Sequence, residues 1–303
     1  MKLCMALTKI MCPVDFSPGS QQAMHTAVRI ANEHDAELVL VHSWYFPAGG
    51  FGGDYVPAAD IVQAISSDAQ RGLENAVAEA RKLGAHRVTS KLLNGSPWQQ
   101  IVDAAQREPG LDLIVIGTHG RTGLSRVVMG SVAELVVRHA PCPVLTVHLG
   151  NNEPTPYRHV LCPIDLSEPG RAAMNLAAEL VKPGGAGITL LHVLELPVAY
   201  RAELPIFELH RQLDAASAAL LDGWTAELQA KVNVPVTRWT RSGRAGAQIL
   251  TVLDDDRTFD LVVMGSHGHT GLARMLLGSV AEKVVRHARC PVLVARDRSA
   301  VAN

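Results

Sequence analysis

The sequence predicts an α/β protein made of two copies of one domain. Gly117-x2-Gly120-x9-Gly130-Ser131 recurs as Gly265-x2-Gly268-x9-Gly278-Ser279, and 21 of 31 positions are identical between 117–147 and 265–295. In both halves short apolar runs alternate with runs of helical spacing, a pattern typical of a parallel sheet with helices on both faces. The predicted domains are residues 1–148 and 158–303, with a polar, proline-broken linker at 149–157.

Strands are predicted where apolar runs are short, and helices where apolar residues recur every three or four positions. The predicted strands of the first half are Lys9–Asp15, Glu37–Ser43, His86–Leu93, Asp112–Gly117 and Pro143–His148. The predicted helices between them are Pro18–Glu33, Asp60–Leu83, Pro97–Arg107 and Ser131–His139. Five strands therefore alternate with four helices.

The second half repeats this order. Its predicted strands are His159–Asp165, Gly187–Val193, Val234–Arg241, Asp260–Gly265 and Pro291–Ala295. Its predicted helices are Glu168–Val181, Phe207–Lys231, Ala245–Leu253 and Ser279–His287. The segments after the second strand, 45–59 and 194–205, differ most between the halves, so we expect contacts specific to one domain there.

Composition argues against several classes of partner. The 28 basic and 29 acidic residues give no overall positive field for nucleic acid or anionic lipid, and 4% aromatic residues offer few surfaces for stacking single-stranded bases. No apolar run approaches the roughly 20 residues that span a bilayer. The first residues, MKLCMALTKIMCPVDFS, lack the sustained apolar segment of an export signal, so we expect a cytoplasmic protein.

Four of the five cysteines recur between the halves and are expected to be buried packing residues, whereas Cys4 has no counterpart. Cys12 corresponds to Cys162 and Cys142 to Cys290, and each of these precedes a proline at a predicted strand. There is no C-x-x-C and no cysteine–histidine spacing of the zinc type, so neither a redox pair nor a metal site is predicted.

The repeated glycine motif predicts a phosphate site in each half. It leads from an apolar strand into a helix, where free backbone amides converge on an anion. Gly117 and Gly120 would let the backbone approach closely, Gly130 would open the helix, and Ser131 would add a hydroxyl. The alternative is purely structural: Ser131-x-x-Glu134, like Ser279-x-x-Glu282, also fits a capping box that only starts the helix.

With Pro13-x-Asp15-x-Ser17 at the first strand, this motif resembles the universal stress protein family, here in its tandem, ATP-binding form. The resemblance covers nearly all of both halves. It implies five-stranded parallel sheets in the order 3-2-1-4-5, of the adenine nucleotide alpha hydrolase-like type, with the two domains forming an intramolecular pseudo-dimer. That order reverses between strands one and four, where doubly wound sheets bind ligands.

The resemblance also implies the residues of each nucleotide cleft. In the first half they are Pro13, Val14, Asp15, Ser43, Gly117, His119, Gly120, Gly130, Ser131 and Val132. In the second half they are Pro163, Ile164, Asp165, Val193, Gly265, His267, Gly268, Gly278, Ser279 and Val280.

Within these sets the aspartates would bind the ribose or adenine side, and backbone groups near Val14 and Ser43 would contact the base. The alternative for Asp15 and Asp165 is to cap the following helix. His42 and His192, at the ends of the second strands, are predicted to be structural.

Between Gly117 and Gly130 there is neither acid nor lysine, and the chain has no G-x-x-x-x-G-K-[ST]. The cleft is therefore expected to bind its ligand and not to convert it. The resemblance implies that this ligand is ATP, AMP or ADP, with any Mg²⁺ held mainly by the nucleotide, and that the protein is a stress-response regulator or sensor. A slow ATP hydrolase or phosphoryl-transfer enzyme and an interaction scaffold are the alternatives.

The family also implies that the last strands, Val144–Val147 and Val292–Val294, pair the two domains. A homodimer and an unknown regulatory protein partner complete the expected interactions.

Overall fold

The computed structural model describes residues 7–45, 59–118, 129–149, 155–195, 206–268 and 277–296, and for 206–214 the backbone alone. These residues divide into two compact units, with the boundary between Thr155 and Pro156. Each unit is a domain with its own sheet.

The sheet of the first domain has five parallel strands in the order β3-β2-β1-β4-β5. The strands are β1 (Lys9–Pro13), β2 (Glu37–Trp44), β3 (Val88–Asn94), β4 (Leu113–Gly117) and β5 (Val144–Val147). The helices are α1 (Pro18–His34), α2 (Ala59–Lys82), α3 (Pro97–Arg107) and α4 (Ser131–His139). The predicted strand order is confirmed.

The second domain repeats this architecture in the order β8-β7-β6-β9-β10, again with every pairing parallel. Its strands are β6 (His159–Ile164), β7 (Gly187–Leu194), β8 (Val236–Ser242), β9 (Leu261–Gly265) and β10 (Val292–Ala295). Its helices are α5 (Glu168–Leu180), α6 (Ile206–Gln229), α7 (Ala245–Asp255) and α8 (Ser279–His287).

Strand order determines which face of the sheet each helix covers. From β1 the chain moves outward through α1 and α2, and after β3 it returns across the sheet through α3 and α4. Because crossovers between parallel strands are right-handed, opposite directions of travel place the two helix pairs on opposite faces. The contacts agree, since α1 touches α2 and α3 touches α4. The second domain pairs α5 with α6 and α7 with α8 in the same way.

Burial on both faces explains the apolar composition of the central strands. In β4 the four residues before Gly117 are buried, and in β9 the four residues before Gly265 are buried. The four cysteines in the described residues, Cys12, Cys142, Cys162 and Cys290, are buried free thiols. Burial raises the pKa of Cys162 and of Cys290 to about 12, so these thiols remain protonated and pack as small apolar groups.

Strands β1 and β6 end two and one residues before their predicted ends. Val14 N still donates to Val41 O at 2.8 Å, but Asp15 N donates to Ser20 Oγ of α1 at 3.3 Å. The backbone then turns through Phe16, whose φ of 65° lies in the left-handed region. The chain therefore leaves the sheet at Asp15 because this residue bonds to the next helix.

Among the residues that the structure describes, no helix is both long and apolar enough to cross a membrane.

Candidate functional site

A cleft opens in the second domain at the carboxyl ends of β6 and β9, where the strand order reverses. Its volume is about 380 Å³, which falls within the usual size of small-molecule sites. The lining includes Pro163, Ile164, Asp165, Val193, Gly265, His267, Gly268, Gly278, Ser279 and Val280. All ten residues predicted for the second nucleotide site therefore line one cleft.

The described counterparts in the first domain lie at the same positions of the fold. Pro13, Val14 and Asp15 end β1 or follow it, Ser43 is near the end of β2, Gly117 ends β4, and Gly130, Ser131 and Val132 open α4. His119 and Gly120 lie outside the described residues.

Each aspartate stabilises the turn that follows its strand. Asp15 Oδ1 accepts hydrogen bonds from the backbone N of Ser17, at 3.1 Å, and from its hydroxyl. Asp165 Oδ1 accepts the same pair from Ser167, with 3.2 Å to the backbone N. The helix cap itself is the serine, whose Oγ accepts from Ser20 N in α1 and from Gly170 N in α5. The alternative that the aspartates cap these helices directly is wrong.

The glycine motif opens α4 and α8 without a side-chain cap. Gly130 and Gly278 occupy the N-cap positions, so Ser131 and Ser279 are the first helical residues and are exposed. The capping-box alternative is therefore wrong, because that motif requires serine one position earlier. Glu134 instead lies 3.5 Å from Arg138 one turn later. The first three amides of each helix have no acceptor within the helix and are available to an anion.

Hydrogen bonds join the two ends of each glycine segment. Gly130 N donates to Thr118 O at 2.7 Å, and Gly278 N donates to Ser266 O at 2.8 Å. The start of the helix is thereby fixed against the end of the strand, which holds its free amides at the mouth of the switch point.

Three of the motif glycines are required by packing against the turn after the first strand. A Cβ on Gly117 would lie 2.7 Å from Gly19 O in α1, and one on Gly265 would lie 3.1 Å from Cβ of Pro169. A Cβ on Gly268 would collide with Oδ2 of Asp165. The glycines therefore let the strand-end loop and the aspartate turn meet across the switch point.

The two predicted structural histidines bind the backbone of the aspartate turns. His42 is buried, with Nδ1 at 2.7 Å from Val14 O, and its ring packs against Phe16 at 4.3 Å between centroids. His192 Nδ1 lies 3.0 Å from Ile164 O. These carbonyls, near which we expected contacts to the base, thus already have an internal partner.

Sequence reasoning predicted ten of the eighteen described residues that line the cleft of the second domain, and among the polar and small residues it missed are Ser266 and Gly170. Ser266, almost fully buried, has its hydroxyl 2.9 Å from Nδ1 of His267 and so orients a histidine that lines the cleft. Gly170 lines the cleft beside Asp165, and Ser20 holds the equivalent position in the first domain. The sequence signal for Gly170 and Ser20 was a difference between the two repeats, which have P-G-S at 18–20 and E-P-G at 168–170.

Metal binding by the protein itself is not indicated in the described ranges, where no group of three or more histidine, cysteine, aspartate or glutamate side chains is placed to hold an ion. Asp165 and His267 are the titratable side chains among the residues lining the cleft. Among the described residues, the polar donors at the phosphate end are backbone amides, the Ser279 hydroxyl and the ring of His267.

Comparisons with known proteins agree with the fold and the repeat. A sequence model of the universal stress protein family matches residues 6–148 and again 156–296. A universal stress protein of Mycobacterium tuberculosis is 31% identical over 241 residues, which cover 77% of this chain and 76% of the relative. One of Mycolicibacterium smegmatis is 29% identical over 307 residues, covering 95% and 97%.

Two solved structures share the fold over nearly the whole chain. A universal stress protein from Archaeoglobus fulgidus superposes with a TM-score of 0.73 at 20% identity, covering 96% of this chain and 98% of that structure. A putative universal stress protein from Pseudomonas aeruginosa gives a TM-score of 0.66 at 18% identity, covering 99% and 97%. With two matches to the family's sequence model and relatives of similar tandem length, the chain belongs to the universal stress protein family.

Proposed function

We propose that each domain binds an adenine nucleotide, ATP, ADP or AMP, and that the protein acts as a nucleotide-dependent regulator or sensor of the stress response. The observation that carries this proposal is the convergence of all ten predicted residues of the second half on one cleft of about 380 Å³. Family membership supports it, since the whole tandem unit is matched.

The phosphates would bind where α8 begins. The amides of Ser279, Val280 and Ala281 have no acceptor within the helix, and the positive end of the helix dipole points at the same place. A hydrogen bond to a charged group contributes about 1.5–3 kcal/mol, so three or four contacts are enough for micromolar binding. The exposed hydroxyl of Ser279 adds one more donor.

The nucleoside would lie against the aspartate turn. Asp165 lines the cleft with Ile164 and Val193 on its apolar side. The carboxylate can accept hydrogen bonds from ribose hydroxyls or from the amino group of adenine, and the aliphatic side chains can cover the flat face of the base. In the first domain Asp15 and Val14 would take the same roles, whereas Ser43 replaces Val193 and its hydroxyl donates to Gly95 O at 2.9 Å.

The chemistry of the cleft favours holding a nucleotide over converting it. No lysine or arginine is among the lining residues that the structure describes, and Asp165 is engaged with Ser167 in its own turn. Phosphoryl transfer is accelerated by groups that stabilise charge developing on the phosphate, usually lysine, arginine or a metal ion. Any Mg²⁺ would be carried by the nucleotide's phosphates.

The test places a negative charge at the proposed phosphate position. Ser131→Glu and Ser279→Glu put glutamate at the first position of α4 and α8, where an acidic residue stabilises a helix but repels a phosphate. We expect calorimetry to show ATP binding to the wild type, a loss of at least about tenfold in affinity at each altered cleft, and an unchanged or raised melting temperature. Ser131→Gln and Ser279→Gln are the neutral controls.

Equal affinities in the glutamate and glutamine variants would contradict phosphate binding at the helix starts. If the wild type gives no heat with ATP, ADP or AMP, and mass spectrometry finds no nucleotide in the purified protein, the proposed function is wrong. The pairing of the last strands, a homodimer and a regulatory protein partner stay predictions.

A further inference from the structure

The two clefts differ at one position beside the aspartate. The third residue after Ser17 is Ser20, whereas the third residue after Ser167 is Gly170. Both lie in the first turn of the helix that follows the aspartate, and both are buried. The surrounding turns are otherwise alike, because each aspartate accepts the same two hydrogen bonds from the serine two residues later.

In the first domain the side chain of Ser20 fills this position. Its hydroxyl accepts a hydrogen bond from Asp15 N at 3.3 Å and donates one to Ser17 O at 3.0 Å, while Ser20 N donates to Ser17 Oγ at 3.3 Å. Asp15, Ser17 and Ser20 therefore form a closed set of hydrogen bonds. The helix side of the aspartate turn is occupied by protein.

In the second domain the same position contributes to the cleft. Gly170 lines the cleft together with Asp165. A Cβ added to Gly170 would lie 3.1 Å from Asp165 Oδ1, 3.6 Å from Asp165 N and 3.7 Å from Ser167 Oγ. A serine there would thus press on the carboxylate and occupy the space that Ser20 occupies in the first domain.

We propose that residue 170 and its counterpart Ser20 determine the relative affinity of the two clefts, so that the second domain is the tighter nucleotide site. This inference rests on the proposed function. With no side chain at Gly170, a polar group of the ligand can approach the Asp165 carboxylate from the helix side. In the first domain the side chain of Ser20 occupies the helix side of the aspartate turn, where it would hinder the same approach to Asp15.

The experiment exchanges the two residues in the full-length chain, one cleft at a time. With the first cleft silenced by Ser131→Glu, Gly170→Ser is expected to weaken ATP binding measured by calorimetry about tenfold or more, as is usual for one group of this size in a close-fitting pocket. With the second cleft silenced by Ser279→Glu, Ser20→Gly is expected to strengthen ATP binding by a similar factor.

Alanine variants distinguish the effect of the occupied space from that of the hydroxyl's hydrogen bonds. Gly170→Ala adds the Cβ alone and is expected to weaken binding nearly as much as Gly170→Ser, whereas Ser20→Ala, which keeps the Cβ, should gain much less affinity than Ser20→Gly. Circular dichroism and melting temperature show whether each variant is folded. Should Gly170→Ser fail to fold, Ser20→Gly still provides the test.

Unchanged affinities in both exchanges, or tighter ATP binding by Gly170→Ser, would overturn the inference while leaving the proposed function intact. If the wild-type chain bound none of ATP, ADP and AMP and contained no co-purified nucleotide, the proposed function itself would be rejected instead. The two failures are therefore distinguishable.

Discussion

The two domains are alike at the carboxyl ends of their strands and different at the amino ends. At the carboxyl ends both have the aspartate turn, the buried histidine and the uncapped helix start. At the amino end of the first sheet, Lys9 Nζ lies 2.8 Å from Glu108 and 3.4 Å from Glu37, and Lys91 also pairs with Glu108.

The second domain has aromatic packing at the corresponding positions. His159, in place of Lys9, stacks on Phe259 at 4.0 Å, and Trp239, in place of Lys91, meets Phe259 edge-on at 5.8 Å. Asp256 replaces Glu108 and binds Thr258, whose hydroxyl lies 2.7 Å from His159 Nδ1. The carboxyl ends therefore share the aspartate turn, the histidine and the helix start, with single substitutions such as Ser20 to Gly170, while the amino ends differ in the kind of interaction that holds them.

The largest expected effect concerns an aspartate that is found at the amino end of both sheets, Asp112 in the first and Asp260 in the second. Asp112 accepts hydrogen bonds from Thr8 N, Lys9 N and Thr8 Oγ1 at 2.5, 3.0 and 2.7 Å, whereas Asp260 accepts from Arg158 N and His159 N at 2.8 and 3.1 Å. Burial also raises the pKa of Asp260, which offsets part of the benefit of its charge.

We therefore expect Asp112→Ala to lower the free energy of unfolding by about 3 kcal/mol and Asp260→Ala by about 2 kcal/mol. Urea titration gives the size, and hydrogen exchange resolved by mass spectrometry identifies the domain that loosens. A larger loss of unfolding free energy for Asp260→Ala than for Asp112→Ala would contradict this ranking of the two aspartates.

The next effect tests the close approach at the ends of β4 and β9. A Cβ at Gly117 meets backbone atoms of Gly19 at 2.7 and 2.8 Å, which cannot move without shifting α1. A Cβ at Gly265 meets Pro169 at 3.1 and 3.2 Å, a milder contact. Gly117→Ala should cost about 2–3 kcal/mol of unfolding free energy and Gly265→Ala about 1 kcal/mol. Equal costs in urea denaturation would show that the two helices pack alike.

A smaller effect is expected from the ion pairs of the first domain. Burial acts to raise the pKa of Glu108, but hydrogen bonds from Lys9 and Lys91 hold it below its ordinary value of 4.5. Since Lys91 is half-exposed, we expect Glu108→Gln to cost only about 1 kcal/mol at pH 7. The loss should shrink as the pH falls below 4.5, because Glu108 then binds a proton in the unfolded chain before it does in the folded domain, and the wild type loses the stability that its ion pairs gave. A cost independent of pH between 7 and 3 would contradict this assignment.

The smallest effect concerns a partly buried histidine of the second domain. Burial lowers the pKa of His159 below 6.5, so the unfolded chain binds a proton at a higher pH than the folded domain does. The stability of the second domain should therefore decline as the pH falls below 6.5, as burial of His34 also predicts for the first domain. Hydrogen exchange at pH 7 and pH 5.5 measures the decline, and His159→Phe, which keeps the stacking, should reduce it in the second domain only. An unchanged decline in the second domain of the His159→Phe variant would refute this assignment.

Much of the fold followed from local signals in the sequence. The bounds of α3, α4 and α8 match their predictions. A proline marks the start of α3, and α4 and α8 each begin after a glycine and end at a histidine that is followed by alanine. Strand ends differ by one or two residues, since hydrogen bonds to the next helix, as from Asp15 to Ser20, decide where a strand stops. Such bonds are tertiary and leave no periodic pattern.

In the second half, the glycine motif and the family resemblance together predicted ten of the eighteen described residues that line the cleft. The capping-box alternative was wrong. The spacing of Ser131 and Glu134 is the same whether the serine is the N-cap residue or the first residue of the helix. The structure places Gly130, whose N donates to Thr118 O, at the N-cap position. Ser20 and Gly170 escaped notice because their importance depends on distances across the turn, which spacing alone does not encode.

The left-handed backbone at Phe16 and Leu166, with φ of 65° and 63°, bears on how this protein can be engineered. A bulky residue in that region costs roughly 1–2 kcal/mol of folding free energy, compared with a net stability of about 5–15 kcal/mol for a typical domain. A glycine at Leu166 would recover that strain but would also free the backbone next to Asp165 to sample other directions. Relief of strain at these turns would thus come at the expense of the geometry that positions the aspartates, so a stabilised variant should be sought elsewhere if its ligand affinity is to be kept.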